Sequence, residues 1–354
     1  MLGVRHCHRM RLLSSTLVAA RIGLAVFASG TATVAIAETV PRYLLEAWPK
    51  TDFQKRSISL QEIKSGGPGK DGIPAIDQPK FESVATDRAS GWIKSLSDNE
   101  PVITVVVNGD ARAYPIRILI WHEIVNDTVG GIPLSVTYCP LCNSSLVFDR
   151  RIGSQVLDFG TTGLLRKSDL VMYDRQTESW WQQFTGEAIL GQYNGAKLKF
   201  LPSRIESVAH FFERYPAGRV LVPEDPQFRN YGTNPYLKYD EAGTWPFLFD
   251  GDPPPGVDAM ERVIAVEIED GKYAAWTLTA LRNTGEIRSG DLVLRWTPGM
   301  RSPLDTREIA SGRDVGNVTV QRTTKDGMID VAFDLPFAFA FHAFRPGSPI
   351  HSSP

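Results

Sequence analysis

The sequence predicts a strand-rich α+β fold with mainly antiparallel sheets and short helices. Three observations carry that expectation. Short β-branched or aromatic runs recur along the chain, residues 102–107 being β-branched throughout. Tight-turn pairs such as Asn108-Gly109 join such runs, as two-residue hairpins require. Hairpin signals also outnumber strand-helix-strand patterns, which favours antiparallel pairing. Thirty Gly and 24 Pro fit a chain with many turns, while a hydrophobic content of 42% argues against disorder.

The N-terminus carries Arg5, Arg9, Arg11 and Arg21, then an apolar run closing on Ala35-Ile36-Ala37. Residues 1–37 read as a secretory signal cleaved near Ala37, so the mature protein is expected to be periplasmic or secreted. The apolar run is about 15 residues, short of the roughly 20 that span a bilayer. Cys7 should leave with the signal, so that Cys139 and Cys142 stand alone in an oxidising compartment. With 40 acidic against 38 basic residues and no basic run, nucleic acid and anionic membrane surfaces are poor partners. The expected partner is a small molecule or another protein.

In chain order, residues 38–78 are polar and turn-rich and read as an extended arm. Residues 79–222 form a first half, residues 223–255 an irregular Pro/Gly-rich segment, and residues 256–354 a second half of the same domain. In the first half, strands at 102–107 and 112–116 run into a helix expected over 116–126. Residues 132–138 and 145–150 form a second hairpin around the cysteines. Ser207 is a good N-cap for a helix over 208–214, and residues 335–344 read as a buried terminal helix. Residues 102–109 with 113–116 resemble 263–271 with 275–278, with one residue inserted. That echo is either a duplicated hairpin-helix unit or two hairpins sharing a turn chemistry.

The cysteine stretch, Tyr138-Cys139-Pro140-Leu141-Cys142-Asn143, is the chemical focus. Two-residue spacing lets both sulfurs face one metal ion from a tight turn, but it supplies only two ligands. His122 is the first candidate for a third, with Glu123, Met172 or His342 behind it. A copper, zinc or iron ion suits thiolate plus imidazole, and a Met172 thioether would favour copper. Glu123 and Asp174 are the candidate acid/base residues. Competing readings remain. A Cys139–Cys142 disulfide would close so short a ring that it contributes only about 2 kcal/mol. A redox dithiol lacks a helix N-terminus to lower its pKa. His122 beside Trp121 also fits a hydrogen-bonded core histidine, Met172 a core methionine, and Asp174 a structural ion pair with Arg175. Trp180 and Trp181 are neighbours on a predicted strand, so one is expected on a groove wall. No Gly-x-Ser-x-Gly elbow or Gly-rich phosphate loop is present.

The blocks Asp71-Gly72-Ile73-Pro74, Arg112-Ala113-Tyr114-Pro115, Trp121-His122-Glu123, Thr137-Tyr138-Cys139-Pro140-Leu141-Cys142 and Leu170-Val171-Met172-Tyr173-Asp174-Arg175 resemble a bacterial and archaeal family catalogued as domain of unknown function 3179. The resemblance spans about residues 70 to 345. It implies that His122, Cys139 and Cys142 group as one site, and it supplies neither cofactor nor substrate. Two functions are therefore expected. One is an exported transition-metal protein, redox-active or a metal-dependent enzyme. The other is a non-catalytic periplasmic binding module with a disulfide and an aromatic groove.

Overall fold

Strands Pro101–Val107 and Asp110–Pro115 pair from Val102 opposite Pro115 to Val107 opposite Asp110. Their turn uses Asn108 (φ 49°) and Gly109 (φ 82°), the left-handed pair that matches strand twist. The chain then enters helix Ile116–His122, whose apolar residues bury it against the first half. The computed structural model describes residues 39–353, and the predicted signal lies outside them. Among these residues the architecture is strand-rich, with five sheets of four or five strands, one two-stranded ribbon and short helices. No helix among them is long and apolar enough to cross a membrane.

The echo in the sequence corresponds to a repeated topology. Strands Val263–Glu269 and Lys272–Thr277 run into helix Leu278–Thr284, repeating the hairpin-helix order. A register shift between Glu267 and Glu269 absorbs the inserted residue as a bulge. Beyond each hairpin lies an antiparallel outer strand, Ser203–Ser207 in one copy and Phe333–Asp334 in the other. A helix follows, Val208–Arg214 or Ala338–Phe344, and then a strand parallel to the second hairpin strand, Arg219–Val222 or Ile350–His351. Those two are the parallel ladders among the named strands. Such a shared, uncommon arrangement is hard to obtain from two unrelated hairpins.

Each hairpin-helix unit also leads into a meander. The first is Ile124–Val129, Ile132–Cys139 and Ser144–Asp149, and the second is Glu286–Ser289, Leu292–Thr297 and Asn317–Thr324. The first copy alone then carries an inserted sheet of Phe159–Arg166, Asp169–Asp174, Trp180–Gln182 and Glu187–Leu190, edged by Ile63–Ser65 from the N-terminal segment. This insertion supplies side chains that the second copy has no means to place.

Residues 39–78 pack closely on that sheet. Leu44, Trp48, Phe53 and Leu60 are buried against Val171, Tyr173, Trp180 and Ile189. This packing corrects the expectation of a tryptophan-lined groove, because Trp180 and Trp181 are both fully buried. Trp180 meets Trp48 and Phe53 edge-on, while Trp181, on the opposite face, meets Phe159. A strand covered on both sides hides both neighbours, which the alternation rule alone does not reveal.

Candidate metal centre

The helix predicted over 116–126 ends at His122, and Ile124 already begins a strand. The cause is Glu123, which takes φ 58° and ψ −32° at the helix C-cap. Its N–H donates to Leu119 O at 2.7 Å, and its carbonyl accepts from Tyr138 N at 2.8 Å. A non-glycine residue at positive φ costs about 1–3 kcal/mol and persists only where its surroundings hold it there. The corresponding helix of the second copy ends at Gly285, with φ 75°. The first copy thus places a carboxylate where the backbone geometry favours glycine.

The cysteines sit on the turn between Ile132–Cys139 and Ser144–Asp149, with Cys139 opposite Ser144. The second copy clamps this turn. Phe337 N donates to Cys142 O at 2.9 Å, and Asn143 Nδ2 donates to Leu335 O at 2.7 Å. Asp334 accepts from Ser144 Oγ and from Ser145 N at 2.8 Å. Rigid support of this kind fixes where both sulfurs point.

They point at Asp169. The ligand atoms of Cys139, Cys142 and Asp169 all lie within 4.8 Å of one another, and all three residues are buried. Cys142 Sγ stands 2.8 Å from Asp169 Oδ1, while Gln182 Nε2 and Phe184 N donate to Oδ2 at 2.6 and 2.9 Å. One carboxylate oxygen is held by the inserted sheet and the other is turned towards the cysteines. Both cysteines are free thiols.

The electrostatics are those of a buried acid cluster. Burial pushes Cys139 and Cys142 up, and the Asp169 charge adds to both. Burial raises Asp169 to about 6, partly offset by its hydrogen bonds from Cys142, Gln182 and Phe184 N. Burial raises Glu123 to about 8, with the Asp169 charge adding to it. Among the described residues, the Glu123 carboxyl has no hydrogen-bond or ion-pair partner. Raised thiol pKa values also work against a dithiol redox role, which needs a stabilised thiolate.

Glu123 forms part of the wall of a cavity of about 300 Å³, together with Leu141, Leu170, Tyr236 and Tyr239. The tyrosines come from the irregular segment between Arg219–Val222 and Val263–Glu269. That segment is anchored by Asp240, which pairs with Arg262 at 2.7 Å and Arg313 at 2.8 Å. Tyr236 is affected by the charges of Glu123 and Cys139, and Tyr239 by those of Cys142 and Cys139. Leu141, between the two cysteines, and Leu170, next to Asp169, both line the cavity, so it borders the cluster.

The other residues singled out from the sequence lie elsewhere. His122 is not in the three-residue group. Its Nδ1 is 2.7 Å from Pro74 O, its Nε2 is 2.8 Å from Tyr231 Oη, and its ring stacks against Phe228 and Tyr231. It lines a separate cleft with Asp77 and Lys80, and burial pushes its pKa down. The left-handed turn at Glu123 sends these adjacent side chains to different cavities. Met172 is fully buried opposite Trp181 and is also outside the group. Asp174 binds its own turn, accepting from Thr177 N and Oγ1 and from Trp181 Nε1. Asp169 was missed by the sequence reasoning, although it opens the strand that holds Met172 and Asp174. Its signal was an acidic residue at the head of an otherwise apolar run.

The family model described as a protein of unknown function, DUF3179, matches residues 70–348, and the chain belongs to that family. The match spans both hairpin-helix units, the inserted strands from Phe159 to Leu190 and every residue of the cluster. Neither a curated protein nor a solved structure matches the chain.

Proposed function

We propose that this is an exported metalloprotein that holds a divalent transition metal on Cys139, Cys142 and Asp169, with the coordination sphere open towards Glu123. The observation that supports the reading most is charge. The thiols of Cys139 and Cys142 and the Asp169 carboxyl lie within 4.8 Å of one another, Glu123 is near enough for the Asp169 charge to raise it, and no Lys or Arg pairs with Asp169 or Glu123 among the described residues. A cation is the missing partner for such a set, since buried charges are otherwise too costly to retain.

The donor set favours zinc. Copper(I) prefers soft sulfur donors, and Met172, the available thioether, stands apart from the group. Two thiolates and one carboxylate suit a borderline ion, and three protein ligands with one open position are characteristic of catalytic rather than structural zinc. Such an ion supplies Lewis-acid polarisation to a bound substrate. The residues of the chain have separable tasks: Gln182 and Phe184 N orient Asp169, Glu123 holds or accepts a proton at the cavity wall, and Tyr236 and Tyr239 bound the space above it. This reading makes the protein a metal-dependent enzyme, not a passive binding module.

Elemental analysis of the full chain expressed with its own signal and purified from the exported fraction tests the reading. One zinc per chain is expected, falling below a tenth of that in Cys139→Ser and Asp169→Asn. Metal-free protein lacking free thiols would instead support a Cys139–Cys142 disulfide.

A further inference from the structure

The cavity that Glu123 lines differs sharply in chemistry from the neighbouring acid cluster. Its walls include Ile73, Leu141, Leu164 and Leu165, and its polar side chains are Glu123 and the phenols of Tyr236 and Tyr239. No Lys, Arg or His lines it. Two nearby lysines are committed elsewhere: Lys64 pairs with Asp250 at 2.7 Å, and Lys167 donates to Ala343 O at 2.9 Å. Tyr239 Oη already accepts from Phe247 N at 3.1 Å, which leaves its proton free to donate.

We propose that this cavity admits a small, uncharged, mainly apolar substrate bearing one hydroxyl or carbonyl group, and rejects anions. The proposal deepens the zinc-site reading and rests on it. Aliphatic walls offer nothing to replace the hydration of a phosphate or carboxylate, and transferring such an ion without a partner is strongly unfavourable. A hydroxyl or carbonyl, by contrast, can pair with Glu123 or a tyrosine phenol while the rest of the molecule meets leucine. At about 300 Å³ the space equals that of about ten waters, which limits the substrate to a small molecule.

Benzyl alcohol, benzoate and benzylamine share one ring and differ in charge at neutral pH, so they probe the class directly. Each is titrated calorimetrically into the full chain, both as purified and after removal of metal with EDTA, with zinc content measured on the same samples. The metal-free arm matters because benzoate can bind a metal directly. Benzyl alcohol is expected to bind at least about tenfold more tightly than either charged probe in the metal-free protein. Leu164→Arg, which puts a guanidinium on the wall, is expected to shift the preference towards benzoate by about tenfold or more. Equal or tighter binding of benzoate or benzylamine to the metal-free wild type overturns the proposal, as does failure of benzyl alcohol to bind at about 10 mM. Protein that arrives without zinc yet keeps the alcohol preference counts against the metal reading and leaves the cavity's selectivity standing.

Discussion

Glu123 and Gly285 occupy corresponding C-cap positions of the two hairpin-helix units, with φ of 58° and 75°. Glycine takes this conformation without penalty, whereas glutamate is strained there and also buries a carboxyl without a partner. Glu123→Gly is therefore expected to stabilise the metal-free protein, by about 1–3 kcal/mol from backbone relief alone. For a chain of this size that is a rise of about 1–5 degrees in melting temperature. The same variant should lose whatever turnover the zinc-loaded protein shows. A melting temperature that falls would mean that the carboxyl is structural.

Asp169 is positioned from the inserted sheet by Gln182 Nε2 and Phe184 N. Asp169→Asn keeps the shape and removes the ligand charge, and zinc affinity should fall by more than about 100-fold. Gln182→Ala leaves the ligand in place and loosens its orientation, so a loss of about 10–100-fold is expected, as for partners that orient other metal ligands. Competition with a chromogenic chelator measures both. Equal losses in the two variants would contradict this ranking.

His122 joins Pro74 in the N-terminal segment to Tyr231 in the irregular segment. Its replacement should affect stability and leave metal binding intact. His122→Ala is expected to cost about 1–3 kcal/mol, the range for losing buried hydrogen bonds and leaving a partner unsatisfied. Zinc stoichiometry should remain at one. A denaturant melt and an elemental assay on the same sample check this, and a variant that loses zinc while keeping its stability would return His122 to the ligand set.

Much of the scaffold was legible because its signals are local. Asn108-Gly109 specified a hairpin, Ser207 did cap helix Val208–Arg214, and the echo of residues 102–116 in 263–278 corresponds to a repeated topology. The cysteine turn was also visible from its spacing. The place of Asp169 was not, because it meets Cys142 across 27 positions through an inserted sheet whose docking no local pattern encodes. His122 misled for a related reason: sequence adjacency to Glu123 suggested one site, and a single positive φ separates the two side chains. Trp180 and Trp181 were misread because the extended N-terminal arm covers the sheet face that alternation assigns to solvent or a groove.

The acid cluster makes the pH dependence of stability depend on metal. In the metal-free protein, Glu123 is raised to about 8 and Asp169 to about 6, so the folded state retains protons that the unfolded chain has already released. Stability is then greatest below the ordinary carboxyl range and is lost as pH rises through about 6 and then about 8. Asp334, raised to about 7 chiefly by burial, adds to the same decline, and Asp334→Asn should remove that share. Zinc reverses the trend. Binding requires both thiols to ionise, and burial keeps them protonated near neutrality, so two protons leave and affinity should rise about 100-fold per pH unit. Since a ligand stabilises the folded state in proportion to the logarithm of its concentration over Kd, the zinc-induced rise in melting temperature should be small at pH 5.5 and large at pH 8. Melts with and without zinc across that range give the two curves. Calorimetry in buffers of different ionisation enthalpy counts the protons, and a release of none at pH 7 would mean that the cysteines are not the ligands.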